Sequence, residues 1–408
     1  MIDGEDDRKA SEASEEPPEQ YVNPFGETAV TEKTVEESAA DTAFAAEGVS
    51  ETKDERKKRM RKKTLGYAAF IGINALVIII LLLVQDKNGD TVAGREAFAL
   101  LGKNFWYTLC AFSVFFFIIF LDVIVFWTLM RKLHIEKRSI ATCINVSFLG
   151  RYYDRVTPWA MGGEPFQIFY LNKRGLSTGD SCAVTVSRHI IRFFTVAFAV
   201  IVILSASRIS TNIYVMVAAI FSVLAGLVIP VFMLICAFNP KLGLKIGKGA
   251  INLLYKMKIV KNYDKAYEKM RDNVEQFLLG LKVLSMNRSL VFVIAVCALA
   301  EMFAYNSAPF FVMRALGVST VPYWHTLVLC LFVNYASSFA PTPGGSGIAE
   351  LSFYAIFAAY IGGGLLFWAV LFWRIAVFYI PVFIGFVMQI VSAVSGIVKA
   401  KRDYRKSY

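Results

Sequence analysis

The chain has 408 residues, of which 56% are hydrophobic, 14% aromatic and only 18% charged, with a mean hydropathy of +0.51. An ordinary soluble domain carries roughly 25% charged residues, so this composition excludes one and points to an all-α polytopic membrane protein. The net charge of +11 is unevenly divided: residues 1–52 hold 15 acids against 3 bases, which leaves +23 on the rest.

The acidic segment 1–52, rich in Glu, Ser, Ala and Pro, cannot bury enough apolar surface to offset its ordering entropy and is expected to be a disordered cytoplasmic tail. It has no apolar stretch, so no signal peptide is expected there. Residues 53–64 form a basic juxtamembrane segment, with eight Lys or Arg between Lys53 and Lys63. By the positive-inside rule this places the N-terminus in the cytoplasm of a cell-membrane protein. Basic charge beside membrane spans fits anionic lipid headgroups and not nucleic acid.

Residues 65–393 read as one transmembrane domain, since several segments reach the roughly 20 apolar residues that a crossing helix needs. Span 1 is Leu65 to Val84 and span 2 about Phe105 to Met130. The apolar stretch Ile140 to Leu149 is too short to cross. It leads through Arg151 and Arg155 into the breaker sequence Thr157, Pro158, Trp159, Ala160, Met161, Gly162, Gly163, Glu164, Pro165 and a second short arm, Phe166 to Leu171. Irregular backbone at that depth is tolerated only inside protein or beside a water-filled cavity, which predicts a re-entrant hairpin. Span 3 (Cys182 to Leu204) and span 4 (Ile213 to Phe238) follow.

The cytoplasmic segment 241–288 carries eleven Lys or Arg. Within it Tyr263, Tyr267, Met270, Val274, Phe277, Leu281 and Leu284 repeat at steps of four and three, a helical apolar stripe. An interfacial helix covering its own bundle is the first reading of this stripe, and a homodimer seam the alternative. Span 5 is Ser289 to Met313. Leu327 to Ala340 and Ala349 to Ile361 flank a second breaker sequence, Pro341 to Glu350, and predict a second hairpin entering from outside. Span 6, Leu365 to Val391, ends in a basic cytoplasmic tail, residues 394–408. The expected fold is therefore six transmembrane helices plus two re-entrant helical hairpins.

The blocks 105–204 and 289–391 share one plan of opposite orientation. Each has a span with an embedded acid (Asp122; Glu301), then a hairpin broken at Thr-Pro and Gly-Gly (Thr157, Pro158, Gly162, Gly163, Glu164; Thr342, Pro343, Gly344, Gly345, Gly347, Glu350). A span with embedded arginine closes each block (Arg188 and Arg192; Arg374). Gly163 to Arg192 and Gly345 to Arg374 both span 29 residues. Paired interrupted segments in inverted halves point to a secondary-transporter site at the repeat interface. An ionised side chain at mid-bilayer costs at least about 2.5 kcal/mol and ordinarily has a partner. Asp122, Glu164, Glu301 and Glu350 are thus expected to meet Arg188, Arg192 and Arg374, with Arg151 and Arg155 near the first hairpin. Arginine's planar fork suits phosphate oxygens, so Arg192 and Arg374 are the expected phosphate ligands. Glu164 and Glu350 would order the hairpins or bind a cationic headgroup. Six cysteines inside apolar stretches read as buried small hydrophobes, and three scattered histidines give no metal spacing. No catalytic set, metal or cofactor is expected.

The two breaker sequences, above all Pro341-Thr342-Pro343-Gly344-Gly345-Ser346-Gly347-Ile348-Ala349-Glu350, resemble the lysylphosphatidylglycerol synthase transmembrane-region family, the flippase-like domain of multipeptide-resistance proteins. The similarity covers about Lys62 to Lys401. The first breaker departs from the commoner Pro-Gly-Gly form by Trp159-Ala160-Met161. The resemblance implies translocation of an aminoacylated phosphatidylglycerol, or a related anionic or polyprenyl-linked lipid, in lipid metabolism and resistance to antimicrobial peptides. Synthesising members add a large soluble domain, for which the residues after span 6 leave no room. The alternatives are a phosphatidylglycerol lysyltransferase-type protein and a membrane subunit working with a separate lipid synthase; no GxSxG elbow or P-loop favours an enzyme.

Overall fold

The computed structural model describes residues 94–133, 139–206, 239–256, 263–338 and 340–391, together with Gly72, Val92, Ile135 and part of 224–235. Two units divide the chain, Met1–Tyr67 and Ala68–Tyr408, and every described residue belongs to the second. The expectations for the acidic tail, the basic segment 53–64, span 1, most of span 4 and the C-terminal tail lie outside the described residues.

The described residues are helical. They form α1 (Gly94–Lys103), α2 (Phe105–Lys132), α3 (Ile140–Val156), α4 (Gly163–Lys173), α5 (Thr178–Ala206), α6 (Pro240–Lys256) and α7 (Tyr263–Ser285). After these come α8 (Arg288–Ala315), α9 (Tyr323–Ser338), α10 (Ile348–Phe357) and α11 (Gly363–Arg374), which runs on through a π-helical turn, Ile375–Tyr379. Among the described residues, four helices are long and apolar enough to cross a membrane: Phe105–Lys132, Thr178–Ala206, Arg288–Ala315 and Gly364–Val391. These coincide with spans 2, 3, 5 and 6. A helix of 28 residues such as α2 is about 42 Å long, more than the hydrocarbon thickness of roughly 30 Å.

Helices α2 and α8 are the central pair, and they run antiparallel. Asn104, which precedes α2, donates through Nδ2 to the Ala315 carbonyl at the end of α8 (3.0 Å). One core joins the first half of α2 (Ala111, Val114, Ile118) to the last half of α8 (Ala308, Val312, Met313). A second core joins the last half of α2 (Leu121, Val125, Phe126, Leu129) to the first half of α8 (Leu290, Ile294, Cys297). The second hairpin and α11 complete the first core, where Phe353 stacks on Phe357 and Trp373 at 4.4 and 4.8 Å between centroids. The first hairpin and α5 complete the second core through Cys143, Val146, Leu171, Ala183 and Val184. Each repeat thus packs its hairpin against opposite ends of the same helix pair.

The first hairpin is more helical than the apolar pattern predicts. α3 does not end near Leu149 but continues to Val156 through Arg151, Asp154 and Arg155, because these side chains find partners inside the protein and give the helix no reason to stop. It stops at Thr157 (φ −105°, ψ 149°), where the following proline disfavours helical backbone. The apolar stripe of α7 turns inward, with Leu281 buried. Gly179 and Ala183 of α5 lie against Gln276 and Gly280 of α7, and Gly247 of α6 lies against Met270.

Candidate functional site

The two breaker sequences form the same turn and meet each other. Pro158 and Pro343 pair in an isolated antiparallel bridge. Thr157 Oγ1 accepts the Gly162 N–H (2.9 Å) and donates to the Tyr153 carbonyl, while Thr342 Oγ1 donates to the Ser346 carbonyl (2.7 Å). The two residues after each proline are left-handed: Trp159 and Ala160 (φ 53° each) in one turn, Gly344 (58°) and Gly345 (68°) in the other. A left-handed L-residue costs about 1–2 kcal/mol, so the first turn is strained where the second is relaxed. Gly344 is further confined because a Cβ there would meet the Phe378 ring and the Arg155 carbonyl.

This geometry corrects the register read from spacing. Gly344-Gly345 correspond to Trp159-Ala160 and not to Gly162-Gly163; Gly162 corresponds to Gly347, each preceding the second arm of its hairpin. Thr157 and Thr342, Pro158 and Pro343, and Gly162 and Gly347 are each 185 residues apart, and on that offset the partner of Arg374 is His189 instead of Arg192. The structure agrees: Glu350 Oε1 accepts Arg374 Nε at 2.6 Å, and Glu164 Oε1 lies 3.0 Å from His189 Nδ1. His189 escaped the sequence reading because a lone histidine carries no motif; only the Thr-Pro register exposes it.

Five charges join in one buried network. Asp122 Oδ1 accepts from Arg188 Nη1 (2.9 Å) and Oδ2 from Arg151 Nε (2.7 Å). Glu301 Oε1 takes both Arg151 Nη2 (2.6 Å) and Arg192 Nη2 (2.7 Å). Arg188 Nη2 also donates to Gln167 Oε1 of α4 (3.1 Å), a buried glutamine that polarity patterning did not single out. The network lies near the middle of α2, α5 and α8, where an unpaired charge would be most costly. Asp122, Arg151, Arg188 and Glu301 are buried, whereas the Arg192 side chain is 35% exposed.

The remaining expected site residues make contacts outside this network. Arg155 meets no carboxylate: its Nε donates to the Val377 carbonyl in the π-helical turn (2.9 Å), and its Nη1 to the Arg151 carbonyl. It thereby ties the first hairpin to α11. The Gly163 N–H donates to Asp154 Oδ1 (2.8 Å), and the Gly347 N–H to Glu350 Oε2 (2.7 Å), so one acid satisfies a first-turn donor of each second arm. Arg374 and Glu350 are sealed from solvent. Arg374 pairs with Glu350, and Arg192 with Glu301.

Beside the network lies a small, half-open cleft. Asp122, Arg188, Arg192 and Glu301 form its polar wall, and Leu121, Val125, Ile294, Cys297 and Ala298 its apolar wall. The network holds three arginines against two carboxylates, a fixed excess of one positive charge that favours an anion. Long apolar helices, paired broken hairpins and a buried charged cavity between antiparallel central helices place the protein among multi-pass membrane proteins. The chain belongs to the family described as the lysylphosphatidylglycerol synthase TM region, whose profile matches residues 65–385. It is also similar to a UPF0104 membrane protein of Archaeoglobus fulgidus, 26% identical over 268 residues that make up 64% of this chain and 80% of the relative. No solved structure matches.

Proposed function

We propose that the protein translocates an anionic, phosphate-bearing lipid between the leaflets of the cell membrane. An aminoacylated phosphatidylglycerol or a polyprenyl-linked lipid is the substrate class that the family description and the site chemistry favour. The observation that carries this reading is the excess arginine of the buried network, presented to a cavity whose other wall is apolar. Arg192 is the phosphate ligand. Glu301 has a second arginine, Arg151, on the same oxygen, so Arg192 can turn from Glu301 to a phosphate without leaving a buried carboxylate unpaired. Arg188 and Arg151 keep the field positive, and the apolar wall accepts the first methylenes of the lipid chains. Arg374, held by Glu350, anchors the second hairpin.

The test is reconstitution into proteoliposomes with headgroup-labelled phosphatidylglycerol, aminoacyl-phosphatidylglycerol and polyprenyl phosphate, reading how fast the label becomes accessible to an impermeant quencher. The protein should accelerate exchange of at least one of them. Arg192→Gln should slow it by about tenfold or more, the value of one charge-assisted hydrogen bond, and Arg192→Lys should recover only part because a point charge lacks the bidentate fork. Wild-type rates for every lipid in Arg192→Gln would overturn the assignment. Chemical modification of the lipid without movement would mark a lipid-modifying protein instead.

A further inference from the structure

Each hairpin is tied to the long helix after it by an acid–base pair, the bases at equivalent positions 185 residues apart and the acids one residue out of that register, and the two pairs differ in chemistry and in enclosure. In the second repeat a guanidinium, which does not lose its proton in proteins, meets a carboxylate that also caps Gly347; both side chains are at most 4% exposed. In the first repeat the pair is Glu164 and His189, with side chains 27% and 25% exposed. Glu164 does not cap its own arm, because Asp154 takes the Gly163 N–H. The second fastening is permanent and multiple. The first is only half-buried and is built on the one side chain whose charge ordinarily changes between about pH 5 and 8.

We propose that the Glu164–His189 pair is a proton-binding site that latches α4 to α5, so that the first hairpin moves while the second stays fixed. Protonation adds one hydron to the imidazole and turns the hydrogen bond between a neutral ring and the Glu164 carboxylate into an ion pair, closing the latch. Loss of the hydron weakens it and frees α4. The charges around the pair are otherwise committed. On α3, Asp154 holds the Gly163 N–H, and Arg151 and Arg155 are bonded elsewhere; on α5, Arg188 and Arg192 are held by Asp122 of α2 and Glu301 of α8. On α7, Gln276 and Gly280 lie against Gly179 and Ala183 of α5. Phe193 lies beside the imidazole, and α9 adds Tyr335 to the apolar cluster around Phe193. Asp154 of α3 also acts on Glu164 through space, and the His189→Gln variant separates its effect from that of the imidazole. Coupling such a proton to lipid movement rests on the translocase reading; the latch itself does not.

The experiment reads the latch without transport. A trifluoromethyl-phenylalanine replaces Phe169, an exposed ring on α4, or Leu351, an exposed position on α10, and the 19F spectrum of the full chain in nanodiscs is followed from about pH 5 to about pH 8. The α4 probe should show two states whose ratio shifts by about tenfold or more, the equivalent of one unit of coupling, and the α10 probe should not respond. His189→Arg should hold α4 in its low-pH state throughout, and His189→Gln should abolish the pH response. An unresponsive α4 probe in the wild-type chain, or a full response surviving in His189→Gln, would overturn the proposal. Lipid movement that fails while the α4 response persists would refute the translocase reading alone.

Discussion

Arg151 is the joint of the charge network, and its loss should be felt as instability more than as altered transport. Its Nε serves Asp122 at 2.7 Å and its Nη2 serves Glu301 at 2.6 Å. Arg151→Met would leave each carboxylate one arginine, and the network would fall from net +1 to neutral. Removing one partner from a buried pair costs about 3–5 kcal/mol; Arg151 is only 9% exposed, but each carboxylate keeps one arginine, so the low end, about 3 kcal/mol, applies. Arg192→Gln removes the other partner of Glu301, but that arginine is partly in contact with solvent and Arg151 remains; the cost should be about 1 kcal/mol or less. Thermal unfolding of both variants in one detergent, at one scan rate because unfolding of such proteins is commonly irreversible, gives the comparison. Arg151→Met should melt well below wild type, and Arg192→Gln close to it. Equal melting of the two variants would refute the division between a structural and a ligand-facing arginine.

Other perturbations separate the two hairpins. Ala160→Gly should raise stability by about 1 kcal/mol, since the residue is left-handed at φ 53° and glycine carries no penalty there; a lower melting temperature would refute the strain. Gly344→Ala should do the reverse by at least about 1–2 kcal/mol from its φ of 58° alone, as read by the same melt. Glu350→Gln, which weakens both the Arg374 pair and the Gly347 cap, should destabilise by about 3 kcal/mol, against about 1 kcal/mol or less for Glu164→Gln at its partly exposed pair. In right-side-out vesicles a cysteine at Met161 should react only with reagent from the cytoplasmic side and one at Ile348 only from outside, as inverted hairpins require. Reaction of both from one side would sink that topology.

Much of the architecture was legible because membrane helices advertise themselves by length and apolarity. Spans 2, 3, 5 and 6 fall on the four long helices to within a few residues at most ends. The embedded acids and arginines were also legible, since an isolated charge in an apolar run calls for a partner. Which partner each would take was not. Arg151 looked like the mouth of a hairpin because charge was read as the end of a buried segment, yet it is the bridge between the two central helices. Gln167 and His189 gave no signal of their own. The repeat register was misread by aligning Gly-Gly with Gly-Gly, because glycine identity stood in for conformation. Trp159 and Ala160 adopt the left-handed backbone that two glycines supply in the other turn, and only φ could show it.

The strained turn and the open acid–base pair occur in the same hairpin, and this coincidence has a physical meaning. Strain of this kind persists only where surrounding contacts over-determine it. The first hairpin spends stability on Trp159 and Ala160 and is fastened by a half-buried histidine, while its counterpart has relaxed glycines and a sealed arginine. Two arms touching at Pro158 and Pro343 would be equally rigid if both were built like the second. With one arm anchored and one loaded and loosely held, the junction has a moving side and a fixed side. The first arm also carries Gln167, which bonds Arg188 of the charge network. A shift of α4 would therefore reach Arg188, in the wall of the cleft, through one hydrogen bond.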